Sequence, residues 1–158
     1  MKFITSYVFF GLLSWFSAST TLAANVVNID VCFVLDTTGS MSGMIQSAKT
    51  KIWYIANQIA SAKTQQANVR FCLVAYRDRG DSYVTQFSPL TEDLDTIYST
   101  LMRLQAGGGG DTPESVNQAL HEAVTLPQWH SSRNSLKIIY LVGDAPPHMN
   151  YQDDVPYF

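Results

Sequence analysis

Residues 31–43, VCFVLDTTGSMSG, pass from five apolar residues directly into an aspartate and then into hydroxyl side chains spaced by glycine and methionine. The segment 26–35 is β-branched and apolar, which predicts a strand buried on both faces of a parallel sheet. From Met41 to Ile59 apolar residues recur every three or four positions, which predicts the buried face of a helix. A buried strand followed by an amphipathic helix indicates a βαβ unit, and Asp36 stands where the strand ends.

Further strands are predicted downstream by runs of apolar and β-branched residues. Residues 69–76 and 136–143 are long runs of this kind, whereas residues 82–87 alternate over a shorter stretch. The long run at 136–143 ends next to Asp144. Two aspartates therefore follow directly on predicted buried strands.

Two more helices are predicted between these strands. Thr91 is the expected cap of the first, and the second follows the glycine run at residues 107–110, with Asp111, Thr112 and Pro113 at its start. Strands that alternate with amphipathic helices predict an α/β fold, a doubly wound and mostly parallel sheet with helices on both faces.

The N-terminal residues have the layout of a secretory signal peptide. Lys2 precedes an apolar run at residues 3–16, and small and polar residues follow up to Ala23. The apolar run is short for a membrane span, which needs about 20 residues. We expect residues 1–23 to be removed on export and residues 24–158 to form a secreted or periplasmic domain without a membrane span; retention of the leader as an anchor is the alternative.

Charge and cysteine content limit the partners. The chain has 10 basic and 13 acidic residues, and loss of Lys2 with the leader brings the formal charge to about −4, which argues against a nucleic-acid partner. Cys32 and Cys72 each lie in an apolar run, where a buried free thiol is expected ahead of a disulfide. The tripeptide Arg79-Gly80-Asp81 is interpreted as a tight turn rather than an adhesive motif.

The polar residues at the strand ends predict a metal site. Asp36 and Asp144 end their strands, and Thr112 caps the helix that precedes the second one, so the three side chains can meet in the crevice outside the carboxyl ends of the sheet. Carboxylate and hydroxyl oxygens are hard donors that suit Mg²⁺, Mn²⁺ or Ca²⁺. Two carboxylates cannot fill about six coordination positions, so hydroxyls and waters must complete the shell, and one position can stay open to an incoming acid.

Three motifs carry a resemblance to a known family. The segments DTTGS, GGGGDTPES and LVGDAPPH resemble the three loops that form the metal-ion-dependent adhesion site of von Willebrand factor A domains. The resemblance implies a Mg²⁺ ion, held partly through water, and a partner protein whose Glu or Asp side chain supplies the last ligand. Thr38 stands where serine is more usual in the family. The implied metal ligands are Asp36, Thr38, Ser40, Thr112 and Asp144.

The resemblance covers residues 28–155. Members of the family continue with a further helix, two strands and a closing helix, so the resemblance predicts a partial domain, incomplete at its C-terminal end. The predicted strand at residues 136–143 would then lie at the edge of the sheet.

A phosphohydrolase of the haloacid dehalogenase type is the enzyme alternative. Asp36 would be the nucleophile and would hold Mg²⁺ together with Asp144. Such an enzyme would need an acid where this chain has Thr38 and another where it has His148. It would also need a lysine near a strand end to neutralise the phosphate charge, and no lysine is suitably placed. The sequence therefore favours a binding module without enzymatic activity. His148 is expected to be solvated, and Asp78 to lie in a solvated turn.

Overall fold

The computed structural model describes residues 26–62, 67–153 and 155, and the predicted leader, residues 1–23, lies outside these described residues. The described residues form four strands and three α-helices. The elements are β1 (Val27–Asp36), α1 (Ile45–Ala62), β2 (Ala67–Tyr76), β3 (Thr85–Thr91), α2 (Leu94–Arg103), α3 (Val116–Thr125) and β4 (Ser135–Val142). In the described part of the chain, no helix is long and apolar enough to span a membrane.

The strands form one sheet in the order β3-β2-β1-β4. β1 is parallel to both β2 and β4, and β3 pairs antiparallel with β2. Leu35 lies opposite Ala75 on one side and Val142 on the other, so all three parallel strands end at the same edge. Because the order of the strands reverses at β1, the crevice between the ends of β1 and β4 is the position where ligands bind in open α/β sheets.

Helices cover both faces of the sheet. Phe33 and Leu35 point to the face packed by α1 and α2, while Cys32 and Val34 point to the face packed by α3. Side chains alternate between faces along a strand, so a stretch of strand covered on both sides is apolar at successive positions, as β1 is from Val31 to Leu35. The predicted doubly wound α/β fold is confirmed.

Two predicted element starts are wrong. Thr91 does not cap α2 but ends β3, and Asp93 is the cap, since its side chain accepts hydrogen bonds from the amides of Asp95 and Thr96. The predicted strand 82–87 lies instead at Thr85–Thr91, because the loop before it is held as a turn by the bond from Arg77 N to Val84 O (2.9 Å).

The start of α3 also differs from the prediction. The helix begins at Val116 with Ser115 as its cap residue, rather than at the Asp-Thr-Pro segment. Glu114 instead forms an isolated parallel bridge with Pro147. Its amide donates to Pro146 O (2.9 Å) and its carbonyl accepts from His148 N (3.0 Å), so long-range pairing prevails over the local capping signal.

β4 is the edge of the sheet among the described residues, as predicted. Leu136 and Leu141 are about half exposed there. Cys32 and Cys72 are buried free thiols that lie opposite each other in β1 and β2.

A charged cluster closes the opposite, amino-terminal end of β1. Asp30 is fully buried and accepts two hydrogen bonds of 2.9 Å from the Arg70 guanidinium. The amide of His130 donates a third bond to the same carboxylate (2.8 Å). This cluster connects β1, β2 and the segment before β4.

Candidate metal centre

A continuous chain of close polar contacts joins the ends of β1 and β4. Asp36 Oδ1 accepts from the amide (2.9 Å) and the hydroxyl (2.7 Å) of Thr38. Thr38 Oγ1 lies 3.1 Å from Ser40 Oγ, and Ser40 donates to Asp144 Oδ1 at 2.9 Å. The structure thus brings together four of the five residues that the sequence singled out.

The two hydroxyl groups in this chain keep acceptor capacity. Each hydroxyl has one proton, and the Thr38 proton goes to Asp36 while the Ser40 proton goes to Asp144. The remaining lone pairs of both oxygens are then free to face a cation. Thr38 is fully buried, whereas Ser40 and Asp144 are exposed at the mouth of the crevice.

Thr37 anchors the loop and does not join this chain. Its amide and hydroxyl both donate to Tyr76 O, at 2.9 and 2.8 Å, and its hydroxyl also lies 2.6 Å from Tyr83 Oη. Its carbonyl accepts from Gly107 N (3.0 Å). The side chain of Thr37 is therefore turned to the scaffold, which leaves Thr38 to face the crevice.

The glycine run packs directly on the loop after β1. Gly39 N donates to Gly108 O (3.0 Å), and a Cβ at Gly39 would lie 2.7 Å from the same oxygen. Gly108 has φ +77°, a conformation that glycine adopts at little cost. Asp81, just before β3, accepts from Gly109 N at 2.9 Å and fixes the run from the other side.

Thr112 is the fifth predicted ligand. It is exposed on the loop after the glycine run. Within the described part of the chain, it makes no hydrogen bond to Asp36, Thr38, Ser40 or Asp144.

Glu114, on the same loop, is a site residue that the sequence analysis missed. The residue is 2% exposed, and its side chain lies next to that of Thr38. Burial, together with the charges of Asp36 and Asp78, raises the pKa of Glu114 to about 7. The acidic residue after Asp-Thr-Pro looks like part of a helix start, and its burial follows only from the bridge to Pro147.

Two buried carboxylate oxygens lack hydrogen-bond partners among the described residues: Asp36 Oδ2 and Glu114 Oε2. Burial, and next the charge of Asp36, raise the pKa of the neighbouring Tyr76 phenol. Unpartnered buried carboxylate oxygens are costly, and they carry several kcal/mol of penalty unless a cation pairs with them. This donor set, two unsatisfied carboxylates beside two hydroxyls with free lone pairs, fits a hard divalent cation.

The expectation of a solvated His148 and a solvated Asp78 is wrong. Both are 4% exposed, and His148 Nε2 lies 3.2 Å from Asp78 Oδ2. Asp78 also accepts from Ser115 Oγ (2.9 Å) and Tyr151 Oη (3.0 Å). Although burial opposes it, hydrogen bonds from Arg79 N, Ser115 and Tyr151 hold the pKa of Asp78 below its usual value.

The fold and the arrangement at the strand ends define a class of protein. Residues 30–155 match the von Willebrand factor A domain family, and the chain belongs to that family. A curated relative, von Willebrand factor A domain-containing protein 7 of Homo sapiens, is 36% identical over 119 residues, which are 73% of this chain and 12% of that protein. The chain spans about one eighth of the length of the first curated relatives it matches.

Solved structures share the fold at low sequence identity. The pilus adhesin SpaC of Lactobacillus rhamnosus GG superposes with a TM-score of 0.58 at 18% identity, covering 74% of this chain and 14% of the adhesin. Proximal thread matrix protein 1 of the mussel byssus, solved with a zinc-occupied metal-ion-dependent adhesion site, gives a TM-score of 0.51 at 16% identity, over 73% of this chain and 28% of that one.

Proposed function

We propose that this chain is an exported protein-binding module whose affinity for its partner depends on a divalent cation. The observation that carries this proposal is the chain of close polar contacts from Asp36 through Thr38 and Ser40 to Asp144. Asp36 contacts the Thr38 hydroxyl and Asp144 contacts the Ser40 hydroxyl, and these two neighbouring hydroxyls lie at the crevice where such sheets bind ligands.

Four residues would hold the ion directly, and Thr112, which is exposed on the neighbouring loop, would reach it through water. Mg²⁺ is the proposed ion because all donors are hard oxygens, with Mn²⁺ and Ca²⁺ as alternatives. When bound, the ion would supply an electrophilic centre for a carboxylate. The direct ligands are Asp36, Thr38, Ser40 and Asp144.

The surrounding charge explains why partner binding should require a cation. Glu114 and Asp78 are buried close by, and Asp111 is exposed on the adjacent loop. These carboxylates repel an acidic partner when the site holds no ion, since like charges in a partly desolvated site interact strongly. The proposed partner is a protein that presents a Glu or Asp side chain to the exposed mouth at Ser40 and Asp144.

Export is the second part of the proposal. The signal-like composition of residues 1–23 supports it, and the binding domain would then comprise residues 24–158. The similarity in fold to a pilus adhesin and to a byssus matrix protein supports a location outside the cytoplasm.

The phosphohydrolase alternative has no support from the arrangement of charges. Lys49 is buried on α1 and donates to Met102 O, Lys51 lies over the ring of Tyr54, and Lys137 lies opposite Asp30 at the far end of β1. Lys63 lies outside the described residues. In the described part of the chain, no lysine thus stands beside Asp36 to neutralise a phosphoryl group. Phosphoryl transfer depends on such electrostatic stabilisation, so we propose no enzymatic activity.

The proposal is tested by thermal unfolding of the purified chain in chelator and in millimolar Mg²⁺. An ion that binds only the folded state adds about 3 kcal/mol of stability at a hundredfold excess over its dissociation constant. We expect this shift in the wild type and in Asp95→Ala, an exposed acid on α2 used as the control, and we expect Asp144→Ala to abolish it.

Two further measurements complete the test. Extracellular proteins retained on the immobilised wild type in Mg²⁺ should be released by chelator and should not bind Asp144→Ala. Hydrolysis of p-nitrophenyl phosphate should stay at background. An unchanged Mg²⁺ shift in Asp144→Ala contradicts the proposed site, and metal-dependent hydrolysis that needs Asp36 contradicts the assignment as a binding module.

A further inference from the structure

A second cluster of potential metal ligands lies beside the proposed site and uses none of its residues. Asp78 follows β2, Asp111 follows the glycine run, and His148 follows the Asp144 loop. His148 Nε2 lies 3.2 Å from Asp78 Oδ2 and 3.4 Å from Asp111 Oδ1. One donor atom from each residue lies within 4.8 Å of the others.

The ring of His148 is oriented as in a metal ligand. Its Nδ1 lies 2.9 Å from Asn150 Oδ1, and an amide oxygen can only accept, so Nδ1 carries a proton. In the neutral imidazole the lone pair then lies on Nε2, which faces the two carboxylates. Metal-binding histidines are held in this way, with the second ring nitrogen donating to an oxygen of the protein.

Asp78 is also fixed by surrounding donors. Ser115 Oγ and Tyr151 Oη hydrogen-bond to its carboxylate, and the Tyr151 ring stacks on the ring of His148 with centroids 4.1 Å apart. Asp78 and His148 are therefore both held in place by neighbouring side chains. Asp111, whose side chain is 62% exposed, leaves the cluster open to solvent.

The buried side chain of Glu114 is a further carboxylate close to this cluster. Its Oε2 is buried without a hydrogen-bond partner among the described residues. Its carbonyl accepts from the amide of His148, and Ser115, the next residue, binds Asp78. The charge of Asp78 is among those that raise the pKa of Glu114, so the two carboxylates are close enough to repel each other.

We propose that Asp78, Asp111 and His148 form a second cation site, which takes a first-row divalent ion such as Zn²⁺. One imidazole and two carboxylates suit Zn²⁺ better than Mg²⁺, which prefers oxygen alone. Ligand atoms about 2.0–2.1 Å from a tetrahedral Zn²⁺ lie about 3.3–3.4 Å apart, close to the two separations at His148 Nε2. Such an ion connects the loops that carry Thr112 and Asp144.

The competing explanation is an ion pair in which His148 is protonated between the two aspartates. The two explanations are distinguished by dialysing the purified 158-residue chain against micromolar Zn²⁺ with millimolar Mg²⁺ and measuring the bound zinc by elemental analysis. We expect one equivalent of bound zinc in the wild type and in His121→Gln, which changes a control histidine on α3. The affinity of His148→Gln for zinc should be less than one tenth of the wild-type affinity.

Asp111→Asn is the variant that does not disturb the fold, because the side chain is exposed, and it should also lower the affinity for zinc at least tenfold. Asp36→Ala should keep its zinc. Zinc binding that is unchanged in both Asp111→Asn and His148→Gln, or that is lost in Asp36→Ala alone, overturns the second site. The Mg²⁺ shift, measured separately in zinc-free buffer, reports on the first site, so failure of either proposal is seen independently.

Discussion

Ser40 Oγ donates a 2.9 Å hydrogen bond to Asp144 Oδ1, a residue 104 positions further along the chain. This bond joins the loop after β1 to the loop after β4. Since the same serine lies 3.1 Å from Thr38 Oγ1, it connects both halves of the proposed Mg²⁺ site. The bond is exposed, so its direct contribution to the free energy of unfolding is at most about 1 kcal/mol.

Ser40→Ala should therefore affect metal binding more than stability. Loss of a ligand and of the group that orients Asp144 should weaken Mg²⁺ binding at least tenfold, an effect of the size seen when groups that orient metal ligands are removed. Isothermal titration calorimetry measures this directly. Ser42→Ala is the matched control, because Ser42 is an exposed hydroxyl in the 3₁₀ turn Gly39–Gly43 that also contains Ser40, and it should bind like the wild type. Equal Mg²⁺ affinity in the two variants would remove Ser40 from the site.

The fold follows from local patterns because each parallel strand is covered on both faces. The run from Val31 to Leu35 had to be apolar at every position, and this pattern distinguishes it from a strand with one face in water. The helix starts were less predictable. Thr91 and Asp93 are both good capping residues, and only the pairing of β3 with β2 decides that Thr91 belongs to the strand.

The candidate site was predictable where its residues directly follow strands. Asp36 ends β1 and Asp144 follows β4 by two residues, so their proximity follows from the sheet. Glu114 and His148 could not be found in this way, since each is buried through the bridge between Glu114 and Pro147. A contact between segments more than thirty residues apart leaves no local pattern in the sequence.

Gly39→Ala should detach the glycine run from the loop after β1. The added Cβ would lie 2.7 Å from Gly108 O, a backbone atom that moves only with the whole loop. We expect a loss of about 1–3 kcal/mol in the free energy of unfolding by urea, together with weaker Mg²⁺ binding. Gly43→Ala is the control, because a Cβ there meets nothing within 4 Å. Equal stability of the two variants would show that the close approach at Gly39 is not needed.

Asp30→Asn should destabilise the fold without touching the metal site. The carboxylate is fully buried and bonded twice to Arg70, so its loss leaves the guanidinium without its counter-charge, at a cost of about 3 kcal/mol. Burial opposes it, but the hydrogen bonds from Arg70 and His130 lower the pKa of Asp30 below 3.8. Its contribution is thus present above the unfolded-state pKa and lost as the pH falls through the folded-state pKa.

Urea unfolding of Asp30→Asn at pH 7 and pH 3 measures both effects. The difference in stability from the wild type should be large at neutral pH and should shrink in acid. The Mg²⁺-induced shift at pH 7 should be retained, since Asp30 lies at the opposite end of β1 from Asp36. A difference that grows in acid would contradict the assigned role of the Asp30 carboxylate.

Glu114→Gln should stabilise the metal-free protein. Burial and the charges of Asp36 and Asp78 raise the pKa of Glu114 from 4.5 to about 7 in the folded state. The folded protein therefore holds this proton more tightly than the unfolded chain, and stability should fall by up to about 3 kcal/mol as the pH rises from about 4.5 to 7. Glutamine has no proton to lose, so the variant should lack this component of the pH dependence.

The experiment is urea unfolding at pH 5, 6, 7 and 8 in the presence of chelator. Glu114→Gln should match the wild type near pH 5 and exceed it at pH 8, whereas Glu122→Gln, an acid on α3 away from the strand ends, should follow the wild-type curve throughout. Above pH 7 added Mg²⁺ should reverse the order of stability, because a cation neutralises the carboxylates that repel one another in its absence. A wild type whose metal-free stability does not fall between pH 5 and 8 would show that Glu114 ionises without penalty.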